Sequence, residues 1–178
     1  MDHPTPSWLT FADRVRKGRV PVRDANDAVV AEIVTSWTGT SFRAFDAEGG
    51  PLCSGTATWL GMSGRWEVTD GVGEPLLTLR KSPWRAQAEL ELARGGTFRV
   101  RGSTWRRGFA VLDAAGDVVL AAVPQSSALS FRAYAFGVQQ TGGRLTLAEV
   151  VALVQVWRLL RKNEDAAAAG GAVAAVSG

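Results

Sequence analysis

The sequence predicts a mainly β protein: a closed antiparallel barrel of about twelve strands, built from repeated hairpins, that encloses a hydrophobic C-terminal helix. Three observations carry this expectation. A hairpin motif recurs from Val20 onward, a further strand-like stretch spans Ala128 to Val138, and the run LTLAEVVALVQVWRLLRK from Leu145 is apolar nearly all the way round.

The hairpin motif comes first along the chain. VPVRD (Val20 to Asp24), FRAFD (Phe42 to Asp46), WEVTD (Trp66 to Asp70) and FAVLD (Phe109 to Asp113) each place two apolar residues at alternate positions before an Asp. LELAR (Leu90 to Arg94) fits with Arg in the Asp position. Alternation of period two turns one face of a strand inward. Three residues after these anchors stand Asp27, Gly49, Gly73 and Gly116, with Thr97 as the exception. Asp bonds the backbone just ahead of it and Gly accepts positive φ, so each pair makes a turn. Six residues after each anchor an apolar residue starts the returning strand: Val30, Leu52, Leu76, Val100 and Val119. Trp37 to Thr40 and Gly61 to Gly64 read as connections between hairpins. Five hairpins supply ten strands, Ala128 to Val138 an eleventh, and a short N-terminal strand a twelfth.

The helix is the discriminating element. Its polar residues Glu149, Gln155 and Arg158 fall at roughly 0°, 240° and 180° around the axis, so they share no wet face. Such a helix is buried on all sides or lies in a membrane. A bilayer needs about 20 predominantly apolar residues; the run from Leu145 to Leu160 is shorter and includes Glu149 and Gln155. Burial is expected instead, with Leu153, Val154 and Trp157 nearly inaccessible. A barrel wider than about eight strands leaves space that its own side chains do not fill, and the helix is the filler.

These features together resemble the tubby-like barrel, and within it the LURP-one-related and phospholipid scramblase-like proteins. WEVTDGVGEPLLTLRKSPWRAQAEL (Trp66 to Leu90) and FAVLDAAGDVVLAAV (Phe109 to Val123) carry the resemblance, which extends over roughly Val20 to Lys162. It implies a closed barrel threaded by its C-terminal helix, and a non-enzymatic protein. The proline-rich leader, the cysteine-rich acylation sites and the acidic calcium segment of scramblases have no counterpart here, so calcium-activated lipid scrambling is not expected. The expected organisation is an N-terminal extension over 1–19, the barrel over 20–162 with its central helix at 145–161, and a disordered Ala/Gly-rich tail over 163–178.

Composition narrows the chemistry. The one cysteine, Cys53, rules out an internal disulfide framework or a cysteine-based zinc site. Cys53 follows Leu52 with nothing basic beside it, and reads as a small buried hydrophobe. The one histidine is His3, near the N-terminus, which disfavours His-based nucleophilic schemes. HExxH, CxxC, GxGxxG and P-loop motifs are absent. No catalytic residue, cofactor or metal is expected. The N-terminus reads as no secretory leader, and the expected location is cytoplasmic, peripheral at the inner membrane face. A net charge of +3 permits an anionic partner without requiring one.

The functional lead is basic. Arg80 and Lys81 end one strand and Arg85 follows beside Trp84; Arg106 and Arg107 open a later strand beside Trp105. Arg99 and Arg101 alternate with Phe98 and Val100 and point away from the apolar face. If neighbouring hairpins bring these together, the patch suits phosphate headgroups through charge-assisted hydrogen bonds. Arg80, Lys81, Arg85, Arg106 and Arg107 are therefore the candidate headgroup-binding residues. The partner expected is an anionic membrane lipid, with a soluble protein-interaction or stress-response scaffold as the alternative. The low charge and the lack of a recognition motif disfavour nucleic acid.

Overall fold

Period-two burial and Asp-led turns fold the chain into a single closed sheet. The computed structural model describes residues 7–12, 19–60, 63–81, 87–102, 108–125 and 135–176, with backbone alone for 59–60, 63 and 165–176. Twelve strands appear in order: β1 (Trp8–Phe11), β2 (Arg19–Asp24), β3 (Val29–Thr35), β4 (Ser41–Asp46), β5 (Pro51–Leu60), β6 (Ser63–Asp70), β7 (Pro75–Lys81), β8 (Gln87–Leu92), β9 (Thr97–Gly102), β10 (Phe109–Leu112), β11 (Val118–Pro124) and β12 (Phe136–Gln140). One helix, α1 (Leu147–Val176), follows. Each strand pairs antiparallel with its neighbours in sequence, and β1 closes the barrel by pairing with both β12 and β2.

The expected boundaries shift in three places. The expected short N-terminal strand is Trp8–Phe11, which closes the barrel with Leu9 and Phe11 buried, so the barrel begins within the extension over 1–19 and not at residue 20. The last strand is Phe136–Gln140, later than Ala128 to Val138; residues 128–134 of that stretch lie outside the described residues. The helix continues to Val176, through residues expected as a disordered tail. Alanine, with the best helix propensity, supports that continuation.

The turns work as their residues dictate. In four of them one Asp Oδ1 accepts backbone N–H groups ahead of it: Asp24 from Asn26 and Ala28, Asp46 from Gly50, Asp70 from Val72 and Glu74, Asp113 from Ala115 and Asp117. A register shift precedes each Asp, between Val22 and Arg23, Ala44 and Phe45, Val68 and Thr69, and Val111 and Leu112. The fifth turn corrects the sequence register. Leu92, not Arg94, takes the anchor position, for Leu92 N–H donates to Gly96 O and Gly95 N–H to Leu92 O. The residue three places on is then Gly95, with φ of 97°, matching Gly73 at 94°. Thr97 ceases to be an exception, and Arg94 moves onto the turn itself.

Helix α1 fills the lumen. Leu153 and Val154 are 0% exposed and Trp157 1%, as expected of a helix packed on every side. Trp157 packs against Phe109 of β10 with the rings tilted by 38° and 5.1 Å between centroids. The wall adapts to its contents: a Cβ on Gly55 would fall 2.3 Å from the ring of its cross-strand partner Phe42, so the lumen-facing Phe42 needs glycine opposite.

Candidate functional site

The barrel has two unlike ends, and the helix starts at one and leaves at the other. All five Asp- or Leu-anchored turns lie at the end where α1 starts, here the turn end. Thr146 caps the helix: its Oγ1 accepts the Glu149 N–H at 3.3 Å, and the Glu149 carboxylate accepts the Thr146 N–H at 2.7 Å. This reciprocal pair satisfies two of the otherwise orphaned donors. Glu149 is buried, and Arg94 reaches it from the β8–β9 turn with Nε–Oε1 at 2.7 Å and NH2–Oε2 at 3.1 Å. The same guanidinium donates to Arg144 O, and Arg144 pairs with Asp113. The Asp113 carboxyl lies below its ordinary range because the Asp117 N–H and then Arg144 stabilise the charged form against some desolvation.

At the opposite, exit end the candidate residues separate. Leu77, Leu79 and Lys81 alternate inward on β7, whereas Arg80 points out to solvent. Lys81 is 13% exposed and pairs with Glu164 of the helix, which also holds Arg161 at 2.9 Å. Burial alone would raise the Glu164 carboxyl, but the hydrogen bonds from Lys81 and Arg161 outweigh it and hold it below its ordinary range. Lys81 therefore ties the wall to the helix, and it also borders the groove that Arg80 lines. Arg85, Arg106 and Arg107, with Trp84 and Trp105, lie outside the described residues.

The outer wall of β6 to β9 brings together what the sequence separates. Arg65, Arg80, Glu89 and Arg99 are consecutive cross-strand partners on four strands. At about 4.8 Å between strands this row spans about 14 Å. Arg99 and Arg101 are exposed, as their alternation with Phe98 and Val100 predicts. An open groove of about 650 Å³ runs here, lined by Arg80, Gln87, Glu89, Phe98, Arg99 and Asp113. Its charge is mixed, since Glu89 and Asp113 line it beside Arg80 and Arg99, and on the wall around it Arg80 lies 3.9 Å from Glu91 and Arg65 2.8 Å from Glu67. Among the described residues no three His, Cys, Asp or Glu side chains gather to hold a metal ion. No helix among them is long and apolar enough to cross a membrane. Cys53 is buried, with Sγ 3.8 Å from Ala148 O of the helix, and desolvation pushes its thiol up to about 12.

A closed twelve-stranded barrel threaded by its C-terminal helix, with a groove on its outer wall, defines the class: a helix-filled antiparallel barrel. The profile of the LURP-one-related family matches residues 12–154, and the chain belongs to that family. Its fold is similar to that of a protein of Arabidopsis thaliana solved by X-ray crystallography, with a TM-score of 0.61 and 20% sequence identity over 90% of this chain and 97% of that one. No curated protein sequence matches the chain.

Proposed function

We propose that the protein is a non-enzymatic binding module for anionic phospholipid headgroups, taken up on the outer wall of β7 to β9. The observation that carries this reading is the placement of Arg80 and Arg99 on either side of Glu89, facing one groove, with Arg101 beside them. Exposed guanidinium groups about two strands apart can hold one phosphate from two sides through charge-assisted hydrogen bonds. Arg80 and Arg99 replace the sequence-based pair Arg80 and Lys81 as the core of the site. The test is sedimentation with phosphatidylserine-containing vesicles at low salt. Binding is expected to fall about thirtyfold in Arg80→Ala with Arg99→Ala, since each surface cation contributes about 1 kcal/mol, and to be unchanged in Glu48→Gln at the far end. Absence of binding, or indifference to the double substitution, overturns the reading.

A second reading rests on the interleaved carboxylates of the same wall. Pairs such as Arg65–Glu67 and Arg80–Glu91 give a mixed-charge face suited to a soluble protein partner. Stable co-purification of one protein together with indifference to vesicles would favour the scaffold.

A further inference from the structure

The small net charge conceals a division of charge along the barrel axis. The five hairpin turns (23–28, 46–50, 70–74, 92–96 and 113–117) and the segment that starts the helix (141–149) carry nine of the 17 carboxylates but three of the 20 cations. These segments sum to −6, which leaves +9 for the rest of a chain whose total is +3. Outside these segments, the described residues include ten cations against six carboxylates. The division has a structural cause. Asp is chosen at the turns because it bonds its own backbone there, and every such turn lies at one end.

The exit end has the opposite character. Arg43, Arg80 and Arg101 lie within two residues of the exit ends of their strands, and Lys162 stands exposed where the helix leaves. Trp37, in the turn that joins β3 to β4, is 96% exposed. Its turn is firmly placed at the exit, since a Cβ on Gly39 would lie 3.7 Å from Asn163 and 3.8 Å from Leu159 of the helix. At physiological ionic strength charges act over about 8 Å, so an approaching surface meets one end or the other and not the average.

We infer that the barrel docks end-on to an anionic membrane, with its exit end and Trp37 against the lipid and its acidic turn end held away. This deepens and rests on the headgroup reading, and adds orientation to it. Arg80 and Arg101 sit near the docked end, and the groove runs from Arg80 along the wall toward Asp113 at the turn end. Trp37 enters the interfacial region, where an indole ring is at home. The acidic end is repelled by the same surface, so the orientation is set by attraction at one end and repulsion at the other.

The burial of Cys53, at 3% exposed, permits a direct test. An environment-sensitive fluorophore is attached to a cysteine introduced as Thr38→Cys at the exit end, or as Val72→Cys at the turn end, where Val72 is 85% exposed. Each labelled full-length protein is mixed with phosphatidylcholine vesicles with and without phosphatidylserine, and with brominated phosphatidylcholine as quencher. The Thr38→Cys probe is expected to shift to the blue and be quenched on anionic vesicles alone, the Val72→Cys probe to remain unchanged. Trp37→Ala, with an unaltered melting curve, is expected to lower the bound fraction about fivefold. If vesicles are bound but the Val72→Cys probe responds as strongly, the orientation is wrong while headgroup binding stands. If no vesicle is bound, both readings fall, and a response of the Thr38→Cys probe to duplex DNA alone overturns them in the same way.

Discussion

Arg94 shows how much one side chain decides. From the hairpin turn it bonds a buried carboxylate on the helix 55 residues away. Arg94→Ala leaves Glu149 without that partner and is expected to cost about 2–3 kcal/mol, measurable as a fall in the urea midpoint. The double substitution with Glu149→Ala should cost less than the two single costs added, because the orphaned charge is removed with its partner. Cys53 makes the converse case. Desolvation pushes its thiol up to about 12, so thiol reagents at pH 8 should react with it only after unfolding. Asp70→Ala removes the acceptor of two backbone N–H groups, and a loss of about 1–2 kcal/mol is expected. Such turn residues are legible because Asp and Gly act within four positions of themselves. Arg94 was not, since its register depends on Leu92, which carries no turn signature.

The helix is the element on which the core depends. Trp157→Ala is expected to cost about 3–5 kcal/mol, because a ring packed against Phe109 leaves a hole the closed wall cannot fill. The exit side of the helix responds to acid. The Glu164 carboxyl is depressed in the fold, so its pairs with Lys81 and Arg161 stabilise the protein above the ordinary carboxyl value of 4.5. That stabilisation is lost as pH falls through the lower folded value. Lys81→Met should therefore reduce the difference in melting temperature between pH 7 and pH 4. The burial of the helix was legible from its scattered polar residues. Its extension to Val176 was not, because an Ala-rich run carries helix propensity but no packing pattern.

For the whole molecule, closure is the decisive property. β1 joins the two ends of the sheet, so removal of residues 1–18 should expose the edges of β2 and β12. The expected result is a lower melting temperature with a broader transition, and concentration-dependent association, as open edges allow. The basic surface was only partly legible. Arg80 and Lys81 are adjacent in sequence, yet alternation on the strand leaves Arg80 exposed and turns Lys81 toward Glu164 of the helix. Arg65, Arg80 and Arg99 are distant in sequence and become neighbours through strand register.

The sequence by itself determined the barrel of repeated hairpins, the turn chemistry and the buried helix. These follow from alternation, from Asp and Gly acting locally, and from an apolar surface with no wet side. Only the tertiary structure decided which strand closes the sheet, which cations face solvent and which carboxylates they meet. Those outcomes depend on register around a closed ring and on contacts between the wall and the helix, which no short stretch of chain encodes.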